Sequence, residues 1–300
     1  METWVIATVL AAGFQTARFM LQKQLSMGAL STAGATFARF IYSSPLVLLL
    51  VAVYLALRGL PLPALSGLFW VYALLGGLGQ ILATICVVAL FRQRNFAVGI
   101  TFKNTEVVLT AFAGLVVLGE AVTPAGLAAI LLGLVGVLVL SGTPGLTGNW
   151  MRRLASRAAG LGLLAGALFA VSSVAYRGAS LELASDDPFL RAMVTLAAVT
   201  ASQTIAMTLW LRWREPGQIG AVMGAWRRAV WIGLTSMAGS LCWFTAFTLQ
   251  NVAYVKAVGQ VELIFSLAAS ILFFNEKFTR REAVGIALIS ASVLSLVLFL

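Results

Sequence analysis

Polar and apolar positions do not alternate at short period in this chain. They separate into long apolar runs of about 20 residues, broken by short basic or Gly/Pro-rich stretches. A run of that length crosses a bilayer as a helix. Barrel strands would show short alternating segments instead, so a β-barrel is not expected. Ten spans are predicted: about Thr3–Gln22, Ala33–Leu57, Leu68–Leu90, Ala97–Leu118 and Pro124–Leu140, then Ala159–Arg177, Phe189–Leu211, Ala229–Thr248, Tyr254–Phe274 and Glu282–Leu300. A Gly/Pro/Thr stretch lies within 141–158 and reads as the linker between a first unit at 3–140 and a second at 159–300. Leu-Pro-Leu-Pro at 60–63, Asp-Asp-Pro at 186–188 and Arg-Glu-Pro-Gly at 214–217 punctuate the loops. Asp186 or Asp187 suits a helix N-cap, with Pro188 in the first turn.

One stretch occurs twice. Residues 79–140 superpose without a gap on residues 235–296 at a shift of 156. The shift maps Cys86 onto Cys242, Phe91 onto Phe247, Asn95 onto Asn251, Ala97 onto Ala253, Glu106 onto Glu262, Glu120 onto Glu276 and Thr123 onto Thr279. Apolar matches are cheap in such a chain, whereas Asn, Glu and Cys are scarce. Earlier parts of the halves agree more weakly: Phe37 and Arg39 match Phe189 and Arg191 at a shift of 152. Five crossings per half turn the second half upside down. The expected fold is therefore an all-α membrane protein, ten transmembrane helices in two inverted five-helix repeats.

Composition agrees with a membrane bundle. The chain is 61% hydrophobic and 10% charged, with mean hydropathy +0.99. Soluble domains carry about 25% charged residues. The net charge of +10 sits in short loops. It reads as topology and contact with anionic lipid rather than nucleic-acid binding. The first apolar run lacks a basic leader and an A-x-A site, and reads as a retained helix. Loops after odd-numbered spans hold thirteen Lys and Arg residues; those after even-numbered spans hold at most Arg58, Arg177, Arg191 and Lys256. That bias puts both termini outside.

Of the ten acids, Glu106 and Glu262 fall near the middle of spans, and they are repeat equivalents. A charge at mid-membrane costs about 2.5–3.5 kcal/mol on insertion scales, and such groups usually face a wet interior. Lys103 and Glu106 share a helix face, and Gln260 sits near Glu262. These residues point to a polar cavity lined by spans four and nine. Lys103, Arg39 or Arg191 would hold a carboxylate. Glu106 and Glu262 would hold an ammonium group or the coupling proton, since the chain has no His. Trp243, Tyr254, Gln80 and Gln260 complete the expected substrate contacts. The competing reading is that Lys103 and Glu106 only neutralise one another and lock packing. Gly76, Gly77 and Gly79 read as close packing or as a hinge. Trp70, Trp150, Trp226 and Trp231 read as interfacial anchors. No phosphate-binding Gly-rich loop, zinc set or nucleophile with its base is present, so neither a cofactor nor an enzyme activity is expected.

The duplicated block, its Glu-x-h-T ends (GEAVT at 119–123, NEKFT at 275–279) and Arg39-Phe40 early in the second span resemble the drug/metabolite transporter superfamily. The chain looks like the EamA-type ten-span permeases, amino-acid exporters of the YddG-like kind among them. Gly119, Glu120 and Thr123 fit the motif, and Asn275 replaces its Gly in the second copy. The resemblance implies secondary export of small metabolites, amino acids foremost, from a bacterial inner membrane by a multi-pass monomer or weak homo-oligomer. It also implies cytoplasmic termini, against the loop charges. Rival readings are a multidrug or lipid-linked-metabolite exporter or flippase, and a non-transporting membrane scaffold.

Overall fold

The computed structural model describes residues 2–26, 28, 30–90, 103–140, 157–274 and 280–299. Its helices are α1 (Thr3–Ser26), α2 (Thr32–Arg58), α3 (Gly67–Leu90), α4 (Glu106–Leu118), α5 (Pro124–Leu140), α6 (Arg157–Leu181), α7 (Pro188–Arg214), α8 (Gln218–Gly224), α9 (Trp226–Leu249), α10 (Val252–Val258), α11 (Val261–Phe274) and α12 (Arg280–Phe299). No strand occurs among the described residues. Six helices, α1, α2, α3, α6, α7 and α9, are long and apolar enough to cross a membrane; α4, α5 and most of α12 are shorter apolar helices.

The bundle is apolar outside and polar inside. Leu49, Phe112, Val116 and Leu209 are exposed, while Gln22, Arg39, Thr84, Glu106 and Gln203 are buried. A water-soluble fold distributes such residues the other way. Exposed leucine faces suit lipid, which has no hydrogen bonds to offer. Buried polar groups must then find partners within the bundle. Thr8, Thr16, Thr36, Thr195, Thr200, Thr204 and Thr208 do so by donating to the carbonyl four residues back.

Helix pairing follows the duplication. Taking α6, α7, α9, α10–α11 and α12 as counterparts of α1 to α5, the contacts between halves are reciprocal. α1 packs on α9 and α3 on α6; α2 packs on α7 and α5 on α12; α4 packs on α6 and α1 on α11. Exchanging the halves maps this set onto itself. Small residues set the closest approaches. A Cβ on Gly76 would lie 2.7 Å from the Tyr176 ring, and one on Gly136 2.9 Å from the Ile289 amide nitrogen. Close packing accounts for Gly76 and Gly79, the latter 3.1 Å by the same construction from the Leu168 carbonyl oxygen.

Local signals act as the sequence suggests in several places. Asp187 rather than Asp186 is the N-cap of α7, accepting from the amides of Phe189 and Leu190 at 2.9 and 3.2 Å. Trp70, Trp226 and Trp231 are exposed near helix ends; Trp150 lies outside the described residues. The GEAVT motif is built as a junction. Gly119 ends α4 at φ +67°, a conformation natural for glycine. Glu120 then meets Arg177 at 2.5 Å, and Arg177 Nη1 donates to the carbonyls of Phe247 and Gln250 at 2.5 and 2.9 Å. The motif thus ties the ends of α4, α6 and α9 together. Its second copy, NEKFT, lies outside the described residues, as do most of the 141–158 linker, Asn95 and Ala97.

Three expectations change. Span nine is not continuous: it breaks at Gly259–Gln260 into α10 and α11, because Gly259 is a weak helix former seated against the Trp243 ring. The described part of span four likewise turns at Asn104–Thr105 before α4 begins. Lys256 lies half-buried in α10 rather than in a loop, and the short helix α8 is a further element beyond the ten expected spans. Its Gln218 accepts from the Ser31 amide at 3.0 Å at the start of α2.

Candidate functional site

The two helix breaks are repeat equivalents. Asn104 at a shift of 156 becomes Gln260, as Glu106 becomes Glu262. A break lets residues on both sides of it turn inward. Lys103 precedes the first break and Glu106 follows it; Lys256 precedes the second and Glu262 follows it. A continuous helix would send some of these side chains to other faces. Irregular backbone at membrane depth is tolerated where it is buried in protein or lines a cavity.

Four ionisable groups meet there. Lys256 Nζ lies 2.5 Å from Glu106 Oε1, and Lys103 Nζ lies 3.4 Å from Glu106 Oε2. Lys103 Nζ is also 4.0 Å from Glu262 Oε2. Gln15 of α1 donates through Nε2 to Glu262 Oε2 at 2.6 Å, and accepts from Trp243 Nε1 at 3.1 Å. Glu106 therefore holds two ammonium groups, while Glu262 holds one at longer range and an amide. Aromatic faces close the site. Lys256 Nζ stands 4.8 Å from the Trp243 ring and 5.3 Å from Phe247, and Lys103 Nζ 5.7 Å from Phe169. Trp243 and Phe247 stack at 5.6 Å, which fixes that wall.

A cavity of about 30 Å³ lies among Lys103, Asn104, Glu106, Lys256, Gln260 and Glu262. It takes about one water molecule. Two amides at its wall are short of partners. Asn104 Nδ2, and both Nε2 and Oε1 of Gln260, are buried without a hydrogen bond. Leaving a buried polar atom unmatched costs about 1–3 kcal/mol. Here the unmatched atoms belong to repeat-equivalent residues on one cavity, which is an arrangement that a ligand or water can complete. A second void of about 20 Å³ adjoins, lined by Arg39, Gln80, Phe169 and Tyr176, with Gln15, Trp243 and Lys256 shared between the two. Arg39 donates through Nε to Ser236 Oγ at 2.8 Å, and through Nη1 and Nη2 to the hydroxyls of Thr84 and Ser240 at 3.3 and 3.2 Å.

Of the predicted residues, Lys103, Glu106, Glu262, Gln260 and Trp243 come together on the central cavity, and Arg39 and Gln80 on its neighbour. Two lie elsewhere. Arg191 is in the first turn of α7 and donates through Nε to the Ser180 carbonyl at 2.7 Å. Tyr254 packs on the start of α5, where its hydroxyl accepts from the Thr123 amide at 2.9 Å. Lys256, Gln15 and Asn104 also line this cavity, and the sequence alone does not single them out as site residues. A lysine inside the apolar run Tyr254–Val258 was the available signal for the first. Gln15 carried no signal beyond being polar within a span. Among the described residues no group of His, Cys, Asp or Glu could hold a metal ion. Cys86 is buried and Cys242 half-buried, both as free thiols.

Residues 156–298 match the model of the EamA-like transporter family. A solved structure described only as "Crystal structure of protein" matches 98% of this chain and 96% of its own length, at a TM-score of 0.73 and 16% identity. That is a likeness of fold along the whole chain. No curated protein matches it. Residues 156–298 thus resemble the EamA-like transporter family, and the chain that carries them has the apolar helices of a multi-pass membrane protein, which fits a general transporter role.

Proposed function

We propose that the chain is a secondary transporter of a bacterial inner membrane that exports small amphipathic metabolites, amino acids foremost, by alternating access. One observation carries the reading: two lysines and two repeat-equivalent carboxylates, buried or half-buried, meet at paired helix breaks on a cavity between the halves. Such a set is costly in a membrane, and packing alone has cheaper solutions. A substrate carboxylate would compete with Glu106 for Lys103 and Lys256. A substrate ammonium group, or a proton, would take Glu106 or Glu262. Any of these steps changes the ion pairing across the two breaks. Ten spans in two inverted repeats would let the halves rock about the site, and the reciprocal helix contacts support that arrangement. Ligand sites usually enclose about 300–1,000 Å³. A central cavity of about 30 Å³ therefore requires the halves to part before a metabolite enters.

The test is flux in proteoliposomes with labelled amino acids and an imposed pH gradient, comparing the unmodified chain with Glu106→Gln and Glu262→Gln. Gradient-dependent flux lost in both variants supports coupling through the paired acids. Flux that ignores the gradient and survives both substitutions returns those acids to a packing role. A groove of about 250 Å³ on α3 and α7, lined by Leu74, Leu78, Ile81 and Ala206, favours a second reading, a flippase for lipid-linked metabolites. Flux of a lipid-linked substrate with none of amino acids would establish it.

A further inference from the structure

The charges around the linked cavities do not balance. Lys103, Lys256 and Arg39 line the two voids already described, and Arg18 joins Arg39 on a third, of about 10 Å³, between α1 and α9. Facing these four cations are two carboxylates, Glu106 and Glu262, among the described residues. Two positive charges are left over inside the bundle. Glu106 is shared by both lysines, and Glu262 by Lys103 and Gln15. The arginines therefore have no carboxylate in contact. Arg39 spends its donors on the hydroxyls of Ser236, Thr84 and Ser240. Arg18 has less. Its side chain is only 2% exposed, yet Nε and Nη1 donate to nothing. Its guanidinium stands 4.4 Å from the Phe19 ring.

A buried guanidinium with two idle donors is expensive unless a counter-charge visits it. The planar fork of Arg matches a carboxylate or phosphate in two parallel hydrogen bonds. A neutral zwitterion brings no net charge and would leave the surplus as it is. We propose that Arg18 and Arg39 form an anion seat in the transport path, and that the transported solute carries net negative charge through a carboxylate or phosphate group. The proposal rests on the transporter reading and narrows its substrate class from amphipathic metabolites to anions. An acidic amino acid suits both ends of the site. Its side-chain carboxylate would take Arg18 and Arg39, and its α-carboxylate and ammonium would meet Lys256 and Glu262 across Gln15, which lines all three voids. The third cavity is small, so the anion enters as the halves part.

The experiment is uptake by proteoliposomes holding the full chain, with labelled aspartate, succinate, inorganic phosphate and leucine at equal concentration. Aspartate or succinate should enter at least about tenfold faster than leucine, as one charge-assisted pair is worth that much discrimination. Phosphate entering in their place would identify the anion as phosphate and support the same seat. Arg18→Gln should raise KM for the preferred anion about tenfold with kcat less changed, and Arg18→Lys should recover most of the loss by restoring the charge. Thermal unfolding of each variant separates loss of binding from loss of fold. Leucine uptake exceeding that of all three anions overturns the anion seat and leaves the transporter reading intact. An Arg18→Gln variant that folds and keeps the KM of the unmodified chain also overturns it. No uptake of any solute by a folded protein overturns both.

Discussion

Glu106→Gln is the most informative single change for stability. Its carboxylate holds Lys256 at 2.5 Å and Lys103 at 3.4 Å, all three side chains being buried or nearly so. Breaking a buried ion pair by removing one partner costs about 3–5 kcal/mol, since the remaining charge is stranded. Lys103 keeps Glu262 at 4.0 Å. Lys256 keeps aromatic faces, Trp243 at 4.8 Å and Phe247 at 5.3 Å, and no carboxylate within ion-pair distance among the described residues. A desolvated cation–π contact returns about 1–2 kcal/mol, so the expected net loss is about 1–4 kcal/mol. In a chain this long about 1 kcal/mol moves Tm by roughly 2 °C, and Tm should fall by about 2–8 °C. Glu262→Gln should cost under about 1 kcal/mol, because its ion contact is at the outer limit and an amide oxygen still accepts from Gln15. Lys256→Met combined with Glu106→Gln should recover much of the loss by removing both members of the shortest pair. The assay is thermal unfolding of detergent-purified protein followed by tryptophan fluorescence. Equal shifts for the two Glu variants, or a Glu106→Gln shift under about 1 °C, would refute the ion-pair geometry.

Three further outcomes follow from the packing and the caps. Gly136→Ala should destabilise by about 1–3 kcal/mol, because its Cβ would meet the Ile289 backbone nitrogen at 2.9 Å and neither α5 nor α12 can give way alone; urea or thermal melts check this. Asp187→Ala should cost about 1 kcal/mol through loss of the α7 cap. Burial pushes the Asp187 carboxyl up, but the Tyr54 hydroxyl and the Leu190 and Phe189 amides outweigh it and hold its pKa below the usual Asp value. The cap's charge-dependent stability is therefore full above the unfolded value near ~3.9 and is lost as pH falls through the lower folded value. Stability of the unmodified chain and Asp187→Asn should differ at pH 6 and converge in acid. Arg177→Met should cost about 3–5 kcal/mol, since it strands the Glu120 carboxylate and the carbonyls of Phe247 and Gln250; an unchanged melt would show that the GEAVT junction contributes nothing.

Much of this protein was written in one dimension. The apolar runs dictate helices in lipid, because a backbone without water must satisfy itself. The 156-residue shift, read on scarce residues, singled out Glu106 and Glu262 as repeat equivalents within spans, and the helix contacts between the halves are reciprocal. Asp-Pro at 187–188 marked a cap because that chemistry is local. Partners far apart in sequence were another matter. That Lys256 of α10 belongs to Glu106 of α4, and Gln15 of α1 to Glu262 of α11, depends on how the halves dock. The breaks at Asn104–Thr105 and Gly259–Gln260 sit in runs whose composition supports helix throughout, and the packing of Gly259 on Trp243 shows tertiary context overriding propensity. Arg18 and Arg191 look alike as lone cations near helix ends. Only the fold gives Arg191 the Ser180 carbonyl and leaves Arg18 in the interior with idle donors, because burial and partner supply are properties of neighbours in space.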